Sequence, residues 1–401
     1  MIISSLLKPC RIAVKNYVSQ RHFKGFATIY LVGFTQTFIA TFNYTMMIIW
    51  LGSSNEGLCP ALSIGRAIYY AWLLLISYDV AELIFKPILS FLSDKFGWRM
   101  ALILSIISQV ISLAALIGNE LQNFLISRVL QGIASSISPT LMAVVSNLTD
   151  GGERYVGVYM GFRGLGYLAA PLLIAIMEGL SKQSIIFIMF SLAFLQTAPL
   201  IINVHLKFRK ADTLNLNTLF QKNICLLFLL TVLASILMGV RFTLIPLVMI
   251  RRGFTTQIVS MILTLGFLIC IIGQSSSGIL LENRHLMLVA SLGFILSTVG
   301  SAYMPLTRNL LDLLIVALTV TLGSGLTLLS TNTLLTRKAR RTNITSTLGL
   351  NGLAQSMGEL IGLTAIASLS EIDLNMAIVS IIVVTLTGFI ASLLIREEPW
   401  R

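Results

Sequence analysis

The chain has 401 residues, of which 56% are hydrophobic and only 11% charged, with a net charge of +12 and a mean hydropathy of +0.89. A soluble domain carries roughly a quarter charged residues, so a water-soluble enzyme, a disulfide scaffold and a disordered protein are all excluded. Lipid needs no charged coat, and apolar runs of about 20 residues leave room for roughly a dozen membrane spans.

Apolar runs follow one another at about 26–51, 67–92, 100–118, 122–147, 155–178 and 184–206, then at 222–250, 258–281, 286–304, 309–335, 344–369 and 374–395. Each is long enough to cross the hydrocarbon as a helix, and their apolar character is nearly all-round, which excludes a β-barrel. The first run is too long for a secretory signal core and has 25 residues ahead of it, so it reads as a retained helix. The expected organisation is an N-terminal tail (1–25), a six-helix bundle (26–206), a linker (207–221), a second six-helix bundle (222–395) and a C-terminal tail (396–401).

The basic residues set the orientation. With both termini on one side, 19 of the 28 Lys and Arg fall on that side, 5 fall opposite, and four (Lys86, Arg128, Arg163 and Arg241) lie inside spans. The positive-inside rule then places both termini in the cytoplasm, with the plasma membrane as the expected location. Scattered along short loops, these residues face an anionic leaflet rather than nucleic acid. Cys10, Cys59, Cys225 and Cys270 lie far apart, and His22, His205 and His285 make no cluster, so no metal site or disulfide framework is expected.

Span 1 has no acidic residue but carries Gln36 and Asn43. Span 2 reads YDVAELIFKP, with Asp79, Glu82 and Lys86. Asp79 and Lys86 lie about 20° apart around a helix and Glu82 about 60° away, so one face carries all three. Glu82 and Lys86 have the i, i+4 spacing of a neutralising pair. Asp79 is left without a partner on its own helix, which suits a group that binds and releases protons. The competing reading is a structural ion triad that fixes span 2 against its neighbours.

Residues 90–99, SFLSDKFGWR, connect spans 2 and 3. They resemble the loop 2–3 signature of the major facilitator superfamily, G-x-L-x-D-[RK]-x-G-[RK]-[RK]. Leu92, Asp94, Lys95, Gly97 and Arg99 match, while Ser90 replaces the first Gly and Trp98 a basic residue. A small residue at 90 lets two helices approach, Gly97 permits a tight reversal, and Lys95 and Arg99 hold the membrane boundary. The resemblance implies that Asp94 latches onto the start of span 11, where Thr342 and Asn343 offer capping groups, and that this latch takes part in gating.

Span 4 opens LISRVLQG, similar to the superfamily's R-x-x-Q-G element through Arg128, Gln131 and Gly132. Either Arg128 serves proton coupling or substrate contact, as the family implies, or it snorkels to the outer interface. Span 5 contains Gly157, Gly166 and Pro171 at the spacing of the antiporter element G-x8-G-x3-G-P, with Ala170 in place of the last Gly. That leans towards export; ordinary small-residue packing accounts for the same pattern.

The halves echo each other. A shift of 188 residues places Ser90-x-Leu92-x-Asp94 on Gly278-x-Leu280-x-Glu282 and Gly161–Leu165 on Gly349–Leu353; a shift of 198 aligns Asn43-x-Thr45 with Arg241-x-Thr243. A parallel six-plus-six repeat follows. In the resembling fold, spans 1, 4, 7 and 10 line a central cavity and spans 2, 5, 8 and 11 form the seam between halves. That layout puts Arg128 and Arg241 at the cavity and Asp79, Arg163 and Glu359 along the seam. Glu178 and Asp312 sit near span ends as interface residues, and the many Phe, Tyr and Met residues define no pocket by themselves.

The expectation is an all-α integral membrane protein: a secondary transporter working by alternating access, with Asp79 or Glu359 carrying a coupled proton and Arg128 and Arg241 facing the substrate or its counter-charge. Proton-driven efflux of a small organic molecule is the leading form. The alternatives are uptake of an organic anion and a non-transporting sensor or scaffold that keeps the fold. No enzymatic motif is present, no cofactor beyond a proton gradient is expected, and the expected partners are substrate, protons and lipid, with the chain acting as a monomer.

Overall fold

The computed structural model describes residues 20–52, 64–118, 120–147, 153–176, 181–201, 222–251, 254, 256–280, 285–339 and 344–395. The expected linker 207–221, the C-terminal tail 396–401, most of the N-terminal tail, Thr342, Asn343 and Glu178 lie outside the described residues, as do the side chains of Pro171 and Arg241.

Among the described residues all regular structure is helical: α1 (Gln20–Gly52), α2 (Ile64–Phe96), α3 (Trp98–Ala115), α4 (Leu121–Ser135), α5 (Ser138–Asn147), α6 (Glu153–Ile176), α7 (Lys182–Leu195), α8 (Ala198–Ile201), α9 (Lys222–Arg251), α10 (Thr256–Leu280), α11 (Leu286–Tyr303), α12 (Leu310–Ala339), α13 (Ile344–Ile361), α14 (Ala367–Ile372) and α15 (Leu374–Leu394). The described part of each expected span is therefore helical, and α1 starts ahead of the expected residue 26. Spans 4 and 6 are each broken into two pieces, and the cause is local. Pro139 and Pro199 have no N–H for the carbonyl four residues earlier, so the chain turns at Ser136 and Gln196 and restarts. Span 11 passes from α13 to α14 through a π-helical turn, Gly362–Ile366.

Nine described helical stretches are long and apolar enough to cross a membrane; expected spans 2 and 11 are not among them, and the described part of span 8 contributes a shorter apolar stretch, Met261–Gly273. These are seam helices. Span 2 carries its charges inward, with Asp79, Glu82, Lys86, Ser90 and Ser93 buried while Ile84, Ile88 and Phe91 face out. The apolar face meets lipid and the polar face meets protein, the reverse of a soluble amphipathic helix.

Pairing between helices shows the internal symmetry directly. In the first half α1 packs on α6, α2 on α4, and α3 on both α4 and α7; in the second, α9 packs on α13, α10 on α12, and α11 on both α12 and α15. These are the same pairings under exchange of spans 1–6 for 7–12. The cross-half contacts obey the same exchange: α2 packs on α13, and α6 on α10. The molecule is two pseudo-symmetric six-helix bundles joined along two seams.

Small residues set those distances. A Cβ on Gly349 of α13 would lie 2.4 Å from the Ser90 side chain, and one on Gly352 would lie 2.9 Å from Lys86. The symmetry-related Gly164 of α6 would meet Ile271 of α10 at 2.5 Å. The echoed GFRGL and GLNGL segments thus serve equivalent seams.

Candidate functional site

The α2–α3 turn is built as its residues imply. Gly97 has φ +91°, a conformation other residues adopt at a cost, and it donates to Ser93 O at 2.8 Å while leading into α3. Lys95 and Arg99 lie over the rings of Phe96 and Trp98, at 5.3 and 5.8 Å to the centroids. Trp98, standing where the signature has a basic residue, is buried in the core. Asp94 accepts from the backbone N–H of Ser346, 2.8 Å away, and from its hydroxyl. The latch onto the first turn of α13 is therefore present, made by Ser346. That position offers both a free helix-start N–H and a hydroxyl.

Deeper along the same seam is a buried polar cluster. Glu82 and Lys86 form an ion pair on α2. Lys86 also donates to Ser356 Oγ of α13 at 2.8 Å, and Ser356 Oγ lies 3.4 Å from the second oxygen of Glu82. Tyr78 OH donates to the first at 2.7 Å. Glu359, one turn beyond Ser356, accepts from Gln355 at 3.0 Å. Carboxylate oxygens of Asp79, Glu82 and Glu359 all lie within 4.8 Å of one another, close enough to share a cation, although Lys86 already serves Glu82 in that way. Asp79 is 4% exposed, and its Oδ2 has no hydrogen-bond partner among the described residues.

The arginines flank this cluster unequally. Arg128 is buried against the rings of Tyr78 and Tyr44, 4.4 and 5.2 Å to the centroids. It donates to the carbonyls of Leu74 and Ala40, each at 3.3 Å, and to Gln131. Gln131 in turn donates to Ile39 O at 3.2 Å. These bonds tie α4 to α1 and α2, so Arg128 is buried in protein rather than snorkelling to an interface. Gly132 completes the motif by letting α4 approach Tyr78 O, which a Cβ would meet at 2.4 Å. Arg163 on α6 lies beside Tyr159 and Tyr167 and within electrostatic reach of Glu82 and Glu359.

In the span 5 element, Gly166 packs on α1, where a Cβ would come 2.2 Å from Thr37 Oγ1 and 2.6 Å from Phe34 O; Gly157 is buried. Asn43 is buried with its Nδ2 unpartnered among the described residues. Asp312 caps α12, accepting from the N–H groups of Arg308 and Asn309 at 2.8 and 3.3 Å.

Sequence reasoning did not name Ser346, Ser356, Gln355 or Tyr78. A signal for Ser356 existed: Gly349, Gly352, Ser356 and Glu359 recur at helical spacing and line one face of span 11.

Two pseudo-symmetric helical halves with ionisable groups buried at their junction define a membrane transporter architecture. The family model described as Major Facilitator Superfamily matches residues 26–363, and the chain belongs to that superfamily. Its fold is similar to the crystal structure of the human organic anion transporter MFSD10 (TETRAN), with TM-score 0.74 and 15% identity over 93% of this chain and 100% of that one. It is also similar to FucP, a superfamily transporter in the outward conformation, with TM-score 0.72 and 13% identity over 94% and 100%.

Proposed function

We propose that this multi-pass membrane protein is a proton-coupled secondary transporter that exports a small organic molecule across the plasma membrane, with both termini cytoplasmic. The observation that carries the coupling is Asp79: a carboxyl group enclosed in protein at the junction of the two halves, with its Oδ2 lacking a hydrogen-bond partner among the described residues. An acid held there has no structural task that an apolar residue would not do better, and proton exchange gives it one. The Asp94–Ser346 latch closes the end of the seam that carries the α2–α3 turn. With the termini inside, that is the cytoplasmic end, and the structure is read as facing outward. Export rests on the partial span 5 element, although Gly166 there already serves α1 packing.

Transport of an organic anion is the second reading, favoured by Arg163 and Lys86 at the junction and by the description of MFSD10, whose fold this chain shares. Arg128 contributes less to it, because carbonyls and Gln131 already occupy its donors.

Purified protein in liposomes tests the proposal. Proton flux that appears only when a substrate from a panel of drugs, sugars and organic acids is present supports coupled transport. No flux with any compound, together with a tightly bound partner protein, would establish the scaffold reading instead.

A further inference from the structure

The two candidate proton-carrying carboxylates, Asp79 and Glu359, face each other from opposite halves. Asp79 is on α2 and Glu359 on α13, with oxygens within 4.8 Å. Of the bases around them, Lys86 is engaged with Glu82 and Ser356 and Arg128 with Leu74, Ala40 and Gln131, while Arg163 reaches Glu359 only through space. Among the described residues neither Asp79 nor Glu359 forms an ion pair of its own, and Asp79 Oδ2 is buried without a hydrogen-bond donor. Two carboxylates this near one another away from water do not both stay charged; one proton between them replaces repulsion with attraction.

We infer that Asp79 and Glu359 form a single-proton site shared across the half-to-half seam, so that binding the proton draws α2 and α13 together and releasing it drives them apart. This rests on the proton-coupled reading above and gives it a location. The groups facing the site are Glu82 and Lys86 from α2, Tyr44 from α1, Arg128 from α4 and Arg163 from α6. Hydrogen bonds and ring contacts hold Glu82, Lys86 and Arg128 in place whichever of the two acids carries the proton. At low pH the pair is protonated and the seam closed; as pH rises the proton leaves, two negative charges remain, and the seam opens. Because one proton is involved, the ratio of closed to open changes at most about tenfold per pH unit. Two independent carboxylates acting together would give a steeper response.

Cross-linking between the halves reads their separation without any transport. Met160 Sδ of α6 and Asn332 Nδ2 of α12 lie 3.7 Å apart on opposite halves. In the full chain with its four native cysteines replaced, M160C/N332C should be bridged efficiently at acid pH, and progressively less as pH rises, by mercuric ion, which displaces both thiol protons across this range and needs no oxidant. Adding Asp79→Asn, or separately Glu359→Gln, should leave cross-linking high and flat with pH, since a neutral partner cannot repel. Two variants on different helices keep the test informative if one fails to fold, as judged by a monodisperse elution profile. A pH response that survives in either variant would overturn the shared site. So would closure that follows sodium concentration at fixed pH, which would make the cluster a metal-cation site. Substrate-driven proton flux without pH-dependent closure would leave coupled transport standing and remove the shared proton. Closure without flux would support the shared proton and count against the transport reading.

Discussion

At the scale of single residues, the Glu82–Lys86 pair shows how a charged group is tolerated in this junction. Lys86 is 2% exposed and Glu82 4%, and every charged atom meets a polar neighbour: Tyr78, Ser356 or the opposite charge. Removing one member strands the other in a medium that cannot solvate it, which costs about 3–5 kcal/mol in buried pairs. Lys86→Met is therefore expected to lower the unfolding free energy by about that amount, and adding Glu82→Gln should recover more than about half of it. A double-mutant cycle in mixed micelles checks this. A simple sum of the two losses would mean the pair is not a unit. Much of this arrangement is legible in the sequence, because i, i+4 spacing brings Glu82 and Lys86 together on any helix. Ser356 and Tyr78 were not, because serine and tyrosine are common in membrane helices and only tertiary packing selects these two. Arg128 shows the other limit. Its motif marks it in the sequence, but whether it offers its donors to a substrate or to carbonyls depends on how near α1 and α2 come.

At the scale of elements, the contact of α2 with α13 is fixed by residue size. The loop signature has glycine where this chain has Ser90, and the extra volume is matched by Gly349, opposite, on α13. Neither residue alone explains the spacing; the pair does. A methyl group at 349 would stand 2.4 Å from the Ser90 side chain, so Gly349→Ala should hold the helices apart. It should cost about 1–3 kcal/mol, weaken the Asp94–Ser346 latch and slow transport. Ser90→Gly in the same chain should restore both stability and rate, by making the room that the family signature makes at that position. Transport assays and thermal unfolding of the two single variants and the double variant check this; a double variant worse than Gly349→Ala would refute the size argument. The helix breaks in spans 4 and 6 were foreseeable from Pro139 and Pro199. The π turn at Gly362–Ile366 was not; it begins at Gly362, which passes so close to α9 that a Cβ there would meet Ile236 O at 2.3 Å.

At the scale of the whole molecule, the two seams are related by symmetry but differ in chemistry. The α2–α13 seam is polar, held by Asp94–Ser346 and Lys86–Ser356. The α6–α10 seam is aliphatic and aromatic, with Gly164 against Ile271 and the Tyr167 and Phe267 rings stacked at 5.8 Å. Polar contacts with buried acids respond to protons, whereas ring stacking does not, so a symmetric rocking motion has one seam that senses pH and one that supplies a constant bias. Phe267→Ala removes the stacking on Tyr167 and so weakens the bias. An aromatic pair is worth about 0.5–1.5 kcal/mol beyond its burial, which amounts to roughly a two- to tenfold shift towards the open seam. Transport rate in liposomes should change by a factor in that range while the shape of its pH dependence is kept; Asp79→Asn should instead abolish the pH dependence. If Phe267→Ala altered the shape of the profile, the division between a proton-sensing seam and a constant one would fail, and both seams would have to belong to one coupled network.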